Sequence, residues 1–173
     1  MTTIAGTGSP GFGGDGDAFS IGGNHFTHTA RKNIKLTCVA MDNWVYGLTK
    51  KQTSPTSPLG FKSKTDIWGA VDYPINPMKQ LVAMGATFIA RSHSHLPNHV
   101  MEMFEAAMDH DGFSVIEVLS ECTEFYPGAF DAAKSMTATP GIPSSTDHAV
   151  AAGRIPTRPI TPPITAFIPI SGL

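Results

Sequence analysis

The sequence predicts an α/β fold, a mostly parallel sheet flanked by helices. Three observations carry this: apolar, strand-like runs alternate with amphipathic helical stretches, the helices bring their own start and stop signals, and turn residues follow the strand-like runs. In such sheets ligands gather at the carboxyl ends of the strands, so the residues just after each apolar run are the first place to look for function.

The elements follow in order. From Ser20 a short helix is expected with Ile21, Phe26 and Ala30 on one face, Arg31 and Lys32 favourably placed at its C-terminal end, and Asn33 stopping it. Ile34 to Met41 (IKLTCVAM) is mostly apolar and rich in strand formers, as a buried parallel strand requires, and Asp42-Asn43 ends it with turn chemistry. Gly47 to Tyr73 shows no sustained period and is too long for an idle connection, which marks it as a functional loop. Asn76 can cap the next helix, Pro77 suits its first position, Met78, Leu81 and Val82 form its buried face, and Gly85 terminates it. Thr87 to Arg91 is a strand. A third helix starts at Pro97, with Val100, Met101, Phe104, Ala107 and Met108 at helical spacing, and stops at Asp111-Gly112. Phe113 to Leu119 closes the series as another strand. Three segments result: a lead-in with little that could be buried at 1–13, a folded domain at 14–126, and a tail at 127–173 expected to have little fixed structure, because 8 of the 14 prolines fall there.

Composition narrows the function classes. The 173 residues suffice for one domain, and 12 Lys and Arg against 14 Asp and Glu give a net charge of -2, no electrostatic footprint for nucleic acid or an anionic membrane. Only two cysteines are present, Cys38 and Cys122, far apart and outside any CxxC, so a reducing compartment is expected and neither a disulfide scaffold nor a complete zinc or iron–sulfur site can be read from them. The first residues lack a basic and an apolar region of the kind that directs export, and no apolar run reaches bilayer length; a cytoplasmic protein is expected.

Gly14-Asp15-Gly16-Asp17 precedes the first helix, and Asp42-Asn43 follows the next strand, so an αβ unit brings the two loops to one sheet edge. Asp15 offers a carboxylate oxygen, Asn43 a side-chain carbonyl, and Val45 a backbone carbonyl: hard oxygen ligands of the kind Mg2+ takes while leaving positions for phosphates. Gly14 and Gly16 would let the backbone approach a diphosphate, with free N–H groups near Ser20 favouring it at the helix start.

The longer strings around these loops resemble a known family. Gly14 to His25 (GDGDAFSIGGNH), Met41 to Pro58 (MDNWVYGLTKKQTSPTSP) and Met84 to Arg91 (MGATFIAR) are similar to the β subunit of 2-oxoacid:ferredoxin oxidoreductases, particularly the 2-oxoglutarate type, from about Gly14 to Tyr126. The resemblance implies a thiamine diphosphate-binding fold. It implies Mg2+ held by Asp15, Asn43 and the carbonyl of Val45, and the loop Tyr46, Gly47, Leu48 and Thr49 lying against the cofactor. It further implies oxidative decarboxylation of a 2-oxoacid to its acyl-CoA, with electrons passing through a 4Fe-4S cluster to ferredoxin. Implied partners are an α-type subunit, which in this family brings the glutamate that activates the cofactor's pyrimidine ring, together with ferredoxin, coenzyme A and the 2-oxoacid. Cys122, in LSECTEF, matches the family's late cluster cysteine. The family's other cluster cysteines and the apolar strand leading into Gly14 are missing from a chain that begins thirteen residues before Gly14. The alternative to a working β subunit is therefore a truncated module that binds thiamine diphosphate and Mg2+ without turnover.

Competing readings attach to several residues. Gly11 to Gly16 satisfies GxGxxG, but no strand precedes it, which argues against a dinucleotide fold. His93, His95 and His99 could be zinc ligands or exposed loop histidines. His25 and His28 could border a cofactor or merely pack, Trp44 could face the cofactor or another subunit, and Cys38 reads as a small core residue.

Overall fold

The computed structural model describes residues 14–136. The lead-in at 1–13 and residues 137–173 of the expected tail lie outside the described residues.

The chain opens with a π-helical turn, Asp17–Ile21, then α1 (Gly23–Lys32), β1 (Leu36–Asp42), α2 (Pro77–Ala83), β2 (Phe88–His93), α3 (Pro97–Asp109), β3 (Phe113–Leu119) and a short α4 (Asp131–Met136). The strands form one parallel sheet in the order β1-β3-β2. β3 is central and buried from Phe113 to Val118, which explains why it reads as an unbroken apolar run interrupted only by Ser114 and Glu117. On one face Phe26, Ala30, Leu81 and Phe19 pack on Cys38, Ala40, Ile89 and Val115; on the other, Met103 and Ala107 of α3 pack on Ala90, Ile116 and Val118. The helices therefore cover both sides of the sheet, and the carboxyl ends of all three strands point to one edge.

Local signals act as anticipated at several boundaries. Asn33 ends α1 in the left-handed conformation at φ 47°. Asn76 accepts from Lys79 N–H at 3.1 Å, a cap of about 1 kcal/mol, and Pro77 takes the first helical position. Gly85, at φ 85°, stops that helix where a side chain would be strained.

Other expectations are corrected. The first helix does not start at Ser20: Asp15 already lies in a helical turn that becomes the π-helical segment, and Ile21 points to solvent while Ala18 and Phe19 are buried in its place. β1 begins at Leu36 rather than Ile34 and includes Asp42, and β2 spans Phe88–His93 rather than stopping at Arg91. Val82, Met101 and Met108 are exposed, because short helices on a three-stranded sheet bury a narrower stripe than periodicity alone suggests. The expected tail starts too early: residues 127–136 are folded, α4 forms at Asp131–Met136, and Phe130, 2% exposed, packs at 4.3 Å from the Trp44 ring.

Candidate functional site

Gly14 pairs with Met41 in a parallel bridge on the free edge of β1, which sets Asp15 beside the end of that strand. Asp15 and Asp42 are both fully buried. Thr56, reaching in from the long loop, stands 2.8 Å from Asp15 Oδ2 and 2.8 Å from Asp42 Oδ1. Asp15 Oδ1 accepts from Asn43 N–H at 3.3 Å, Asp42 Oδ1 from Trp44 N–H at 3.1 Å, and Asn43 Oδ1 from Val45 N–H at 3.1 Å. Asp15, Asn43 and Val45 are thus joined in one chain of hydrogen bonds. Trp44, at φ 60°, supplies the left-handed step that folds this turn back on itself.

The Thr53-to-Pro58 stretch is a plug of hydroxyls. Ser57 Oγ donates to Trp44 O at 2.6 Å and accepts from Ser54 N–H at 2.8 Å, while Ser54 Oγ lies 3.2 Å from Ser57 Oγ and 3.4 Å from Thr56 Oγ1. Farther along, Asp66 accepts from the hydroxyls of Thr53, Ser63 and Thr65, which stiffens the rest of the loop.

Thr56 has one hydroxyl hydrogen and two carboxyl neighbours, so it donates to one while the other must bring a proton of its own. Burial, the Asp15 carboxylate and contact with Glu117 push the Asp42 carboxyl up to about 8. Glu117 Oε1 is a buried atom with no hydrogen-bond donor among the described residues. Glu117 Oε2 accepts from Arg91 Nε at 2.6 Å. Burial likewise raises Asp15 above the usual carboxylate range, partly offset by Ser54, Thr56 and the Asn43 amide. Among the described residues the donors that meet Asp15 are hydroxyls and amides, so a divalent cation beside it would offset the burial cost, and the Asp15, Asn43 and Val45 oxygens suit a hard ion.

The remaining candidate residues divide. Gly14 holds the β1 bridge, and its carbonyl accepts from Ala18 N–H at 3.0 Å; Asp17 begins the π-helical turn, its carbonyl accepting from Gly22 N–H at 2.6 Å. The clearance at Gly16 is filled by the Tyr46 ring, since a Cβ there would stand 2.0 Å from Tyr46 Cε1. Tyr46 to Gln52 closes a tight turn that leaves Leu48 99% exposed and Thr49 exposed. Gly47 lies against Cys122, which packs half-buried on the Val45, Phe61 and Ala70 cluster. The three loop histidines do not converge. His93 is buried with its Nδ1 2.5 Å from His95 Nδ1, whereas His99 Nδ1 meets Ser92 Oγ at 2.8 Å, and no cluster of three metal-binding side chains of His, Cys, Asp or Glu type occurs among the described residues. His25 and His28 are exposed.

Comparison with known proteins supplies the deciding observation: residues 10–118 match the family described as thiamine pyrophosphate enzyme, C-terminal TPP binding domain. The chain belongs to this family. It is 44% identical over 119 residues to 2-oxoglutarate oxidoreductase subunit KorB of Mycobacterium tuberculosis, covering 69% of this chain and 32% of that one. It is 46% identical over 111 residues to 2-oxoglutarate synthase subunit KorB of Archaeoglobus fulgidus, covering 64% and 42%. Among solved structures, 2-oxoglutarate:ferredoxin oxidoreductase from Magnetococcus marinus, with 2-oxoglutarate, coenzyme A and succinyl-CoA bound, superposes with a TM-score of 0.65 at 43% identity, covering 67% of this chain and 40% of that chain. The chain spans less than half the length of each of these three relatives. The parallel sheet and its flanking helices are those of the thiamine pyrophosphate-binding domain, and its resemblance to the β subunits of 2-oxoacid:ferredoxin oxidoreductases holds across the folded region.

Reading the sequence did not single out Asp42, Ser54, Thr56, Ser57, Arg91 or Glu117 as parts of one cluster. One signal was available: Glu117 is an acid in the middle of an otherwise apolar strand, a position where a charge is almost never found without a partner.

Proposed function

We propose that this thiamine pyrophosphate-binding domain serves as the cofactor-holding part of a 2-oxoacid:ferredoxin oxidoreductase β subunit, with 2-oxoglutarate as the substrate class its relatives favour. The observation that carries this is the meeting of Asp15, Asn43 and Val45 at the carboxyl end of β1, beside a buried carboxylate pair, in a chain of that family. Asp15, Asn43 and the Val45 carbonyl would hold Mg2+, and the Tyr46, Gly47, Leu48 and Thr49 loop would line the cofactor. When bound, thiamine diphosphate supplies the carbon chemistry that releases CO2 from a 2-oxoacid. The chain's own contribution is to fix the metal and to exclude water with the buried Thr53-to-Pro58 plug.

The full reaction, forming an acyl-CoA and reducing ferredoxin, is proposed for an assembly with an α-type subunit. Cys122 would contribute one thiolate to a 4Fe-4S cluster completed by other cysteines. No helix among the described residues is long and apolar enough to cross a membrane, and a cytoplasmic location suits a ferredoxin-linked enzyme.

Calorimetric titration of thiamine diphosphate into the chain, with and without Mg2+, tests the site. Binding that needs Mg2+ and is lost in Asp15→Ala supports it. Binding that is indifferent to metal, or unchanged in Asp15→Ala, overturns it.

A further inference from the structure

On the sheet face covered by α1 and α2, Asp42, Glu117 and Arg91 stand on β1, β3 and β2 at their carboxyl ends. Asp42 ends a strand paired to β3 and its Oδ1 is held by Trp44 N–H at 3.1 Å, while Arg91 fixes the neighbouring Glu117. Asp42 is therefore an anchored end. Asp15 lies on a different stretch of chain, 27 positions earlier in sequence, and its carboxyl must be aimed at a metal with an accuracy that one helical turn between two glycines does not provide by itself. The side chain joining the two is Thr56, 4% exposed, with its hydroxyl 2.8 Å from each carboxyl.

We infer that Thr56 is a positioning residue for the cofactor's metal: it links the Asp15 carboxylate to the anchored Asp42 and so sets the direction in which Asp15 presents its oxygen. The inference rests on the proposed Mg2+ and thiamine diphosphate site and adds to it a residue from the long loop. It gives that loop a function. Closing the Thr53-to-Pro58 plug completes the metal site, and the hydroxyls of Ser54 and Ser57 hold the plug in place around Thr56. Hydrogen-bond partners of metal-binding carboxylates commonly change metal affinity by about 10–100-fold when removed, which sets the expected scale.

The test measures the Mg2+ concentration at half-saturation for thiamine diphosphate binding by calorimetry, alongside the melting temperature. Thr56→Val keeps the side chain's shape and removes the hydroxyl; the expected result is a rise of roughly 10–100-fold in the Mg2+ midpoint. Thr56→Ser restores the hydroxyl and should return the midpoint to within about threefold of the unsubstituted chain. A Thr56→Val midpoint equal to that of the unsubstituted chain overturns the inference, as does a Thr56→Ser variant that stays as weak as Thr56→Val while melting normally. If Thr56→Val does not fold, Thr56→Ala decides: it removes the hydroxyl and leaves no branched side chain beside the carboxyls, so its midpoint should rise by the same roughly 10–100-fold, whereas an unchanged midpoint overturns the inference. Failure of the underlying site is separately visible, because the unsubstituted chain would then show no Mg2+-dependent binding.

Discussion

Arg91 on β2 and Glu117 on β3 are direct neighbours in the sheet register, and Arg91 Nε donates to Glu117 Oε2 at 2.6 Å. The Arg91 side chain is 39% exposed while that of Glu117 is fully buried, so the pair is asymmetric: solvent can stabilise the arginine, whereas the glutamate depends on the arginine's charge. Arg91→Ala should therefore destabilise the chain by about 2–3 kcal/mol, somewhat below the usual cost of stranding a buried charge because the site is half open to water. Glu117→Gln in the Arg91→Ala background should recover a large part of that loss in urea denaturation. A double variant as unstable as Arg91→Ala alone would show that the charge pairing is not what matters.

Phe130 sits 2% exposed against Trp44, so residues past Tyr126 contribute to the fold next to the candidate site. Phe130→Ala should cost about 3–4 kcal/mol of stability, as for other buried aromatic truncations. Trp44 fluorescence should shift in the folded variant, measured with Trp68→Phe as background because Trp68 is 91% exposed. No change in either would place Phe130 outside the packed core.

Lys50 and Lys51 both adopt left-handed backbone, at φ 67° and 71°, in the turn that pairs Tyr46 with Gln52. A Cβ is unfavourable there, by about 1 kcal/mol per residue. Lys50→Gly should stabilise the chain by roughly 0.5 kcal/mol after glycine's greater unfolded-state freedom is deducted, while Lys50→Val should destabilise it by 1 kcal/mol or more. Thermal melts of the two variants moving in the same direction would contradict the strained turn.

Without metal, Asp42 and His93 act on stability in opposite directions as pH changes. With its carboxyl raised to about 8 by burial, Asp15 and Glu117, Asp42 keeps a proton in the folded chain that the unfolded chain loses near pH 4, so its contribution is full below about pH 4 and is lost as pH rises towards 8. His93 acts in the other direction: burial, then His95 and Lys134, lower its pKa, and its contribution is lost as pH falls below about 6.5. Melting temperatures from pH 5 to 9 should show the alkaline decline in the unsubstituted chain and a weaker one in Asp42→Asn. An identical slope in both would remove Asp42 as its source.

Much of this protein was legible in its residues alone. The alternation of helices and strands, the caps at Asn33, Asn76 and Gly85, and the meeting of the Gly14-to-Asp17 and Asp42-to-Val45 loops all follow from short-range rules, because helix periodicity, turn chemistry and the αβ connection act over a few residues at a time. What tertiary structure alone decided is which distant groups share a desolvated space. Thr56 between Asp15 and Asp42, Glu117 facing Asp42 and Arg91, and Phe130 against Trp44 join positions 14 to 86 residues apart, and no local pattern encodes such distances. The sequence by itself determined that two acidic loops would lie at one sheet edge; packing determined that their carboxyls would be sealed from water and bridged by a single hydroxyl, since burial and its electrostatic consequences exist only once the chain has closed over them.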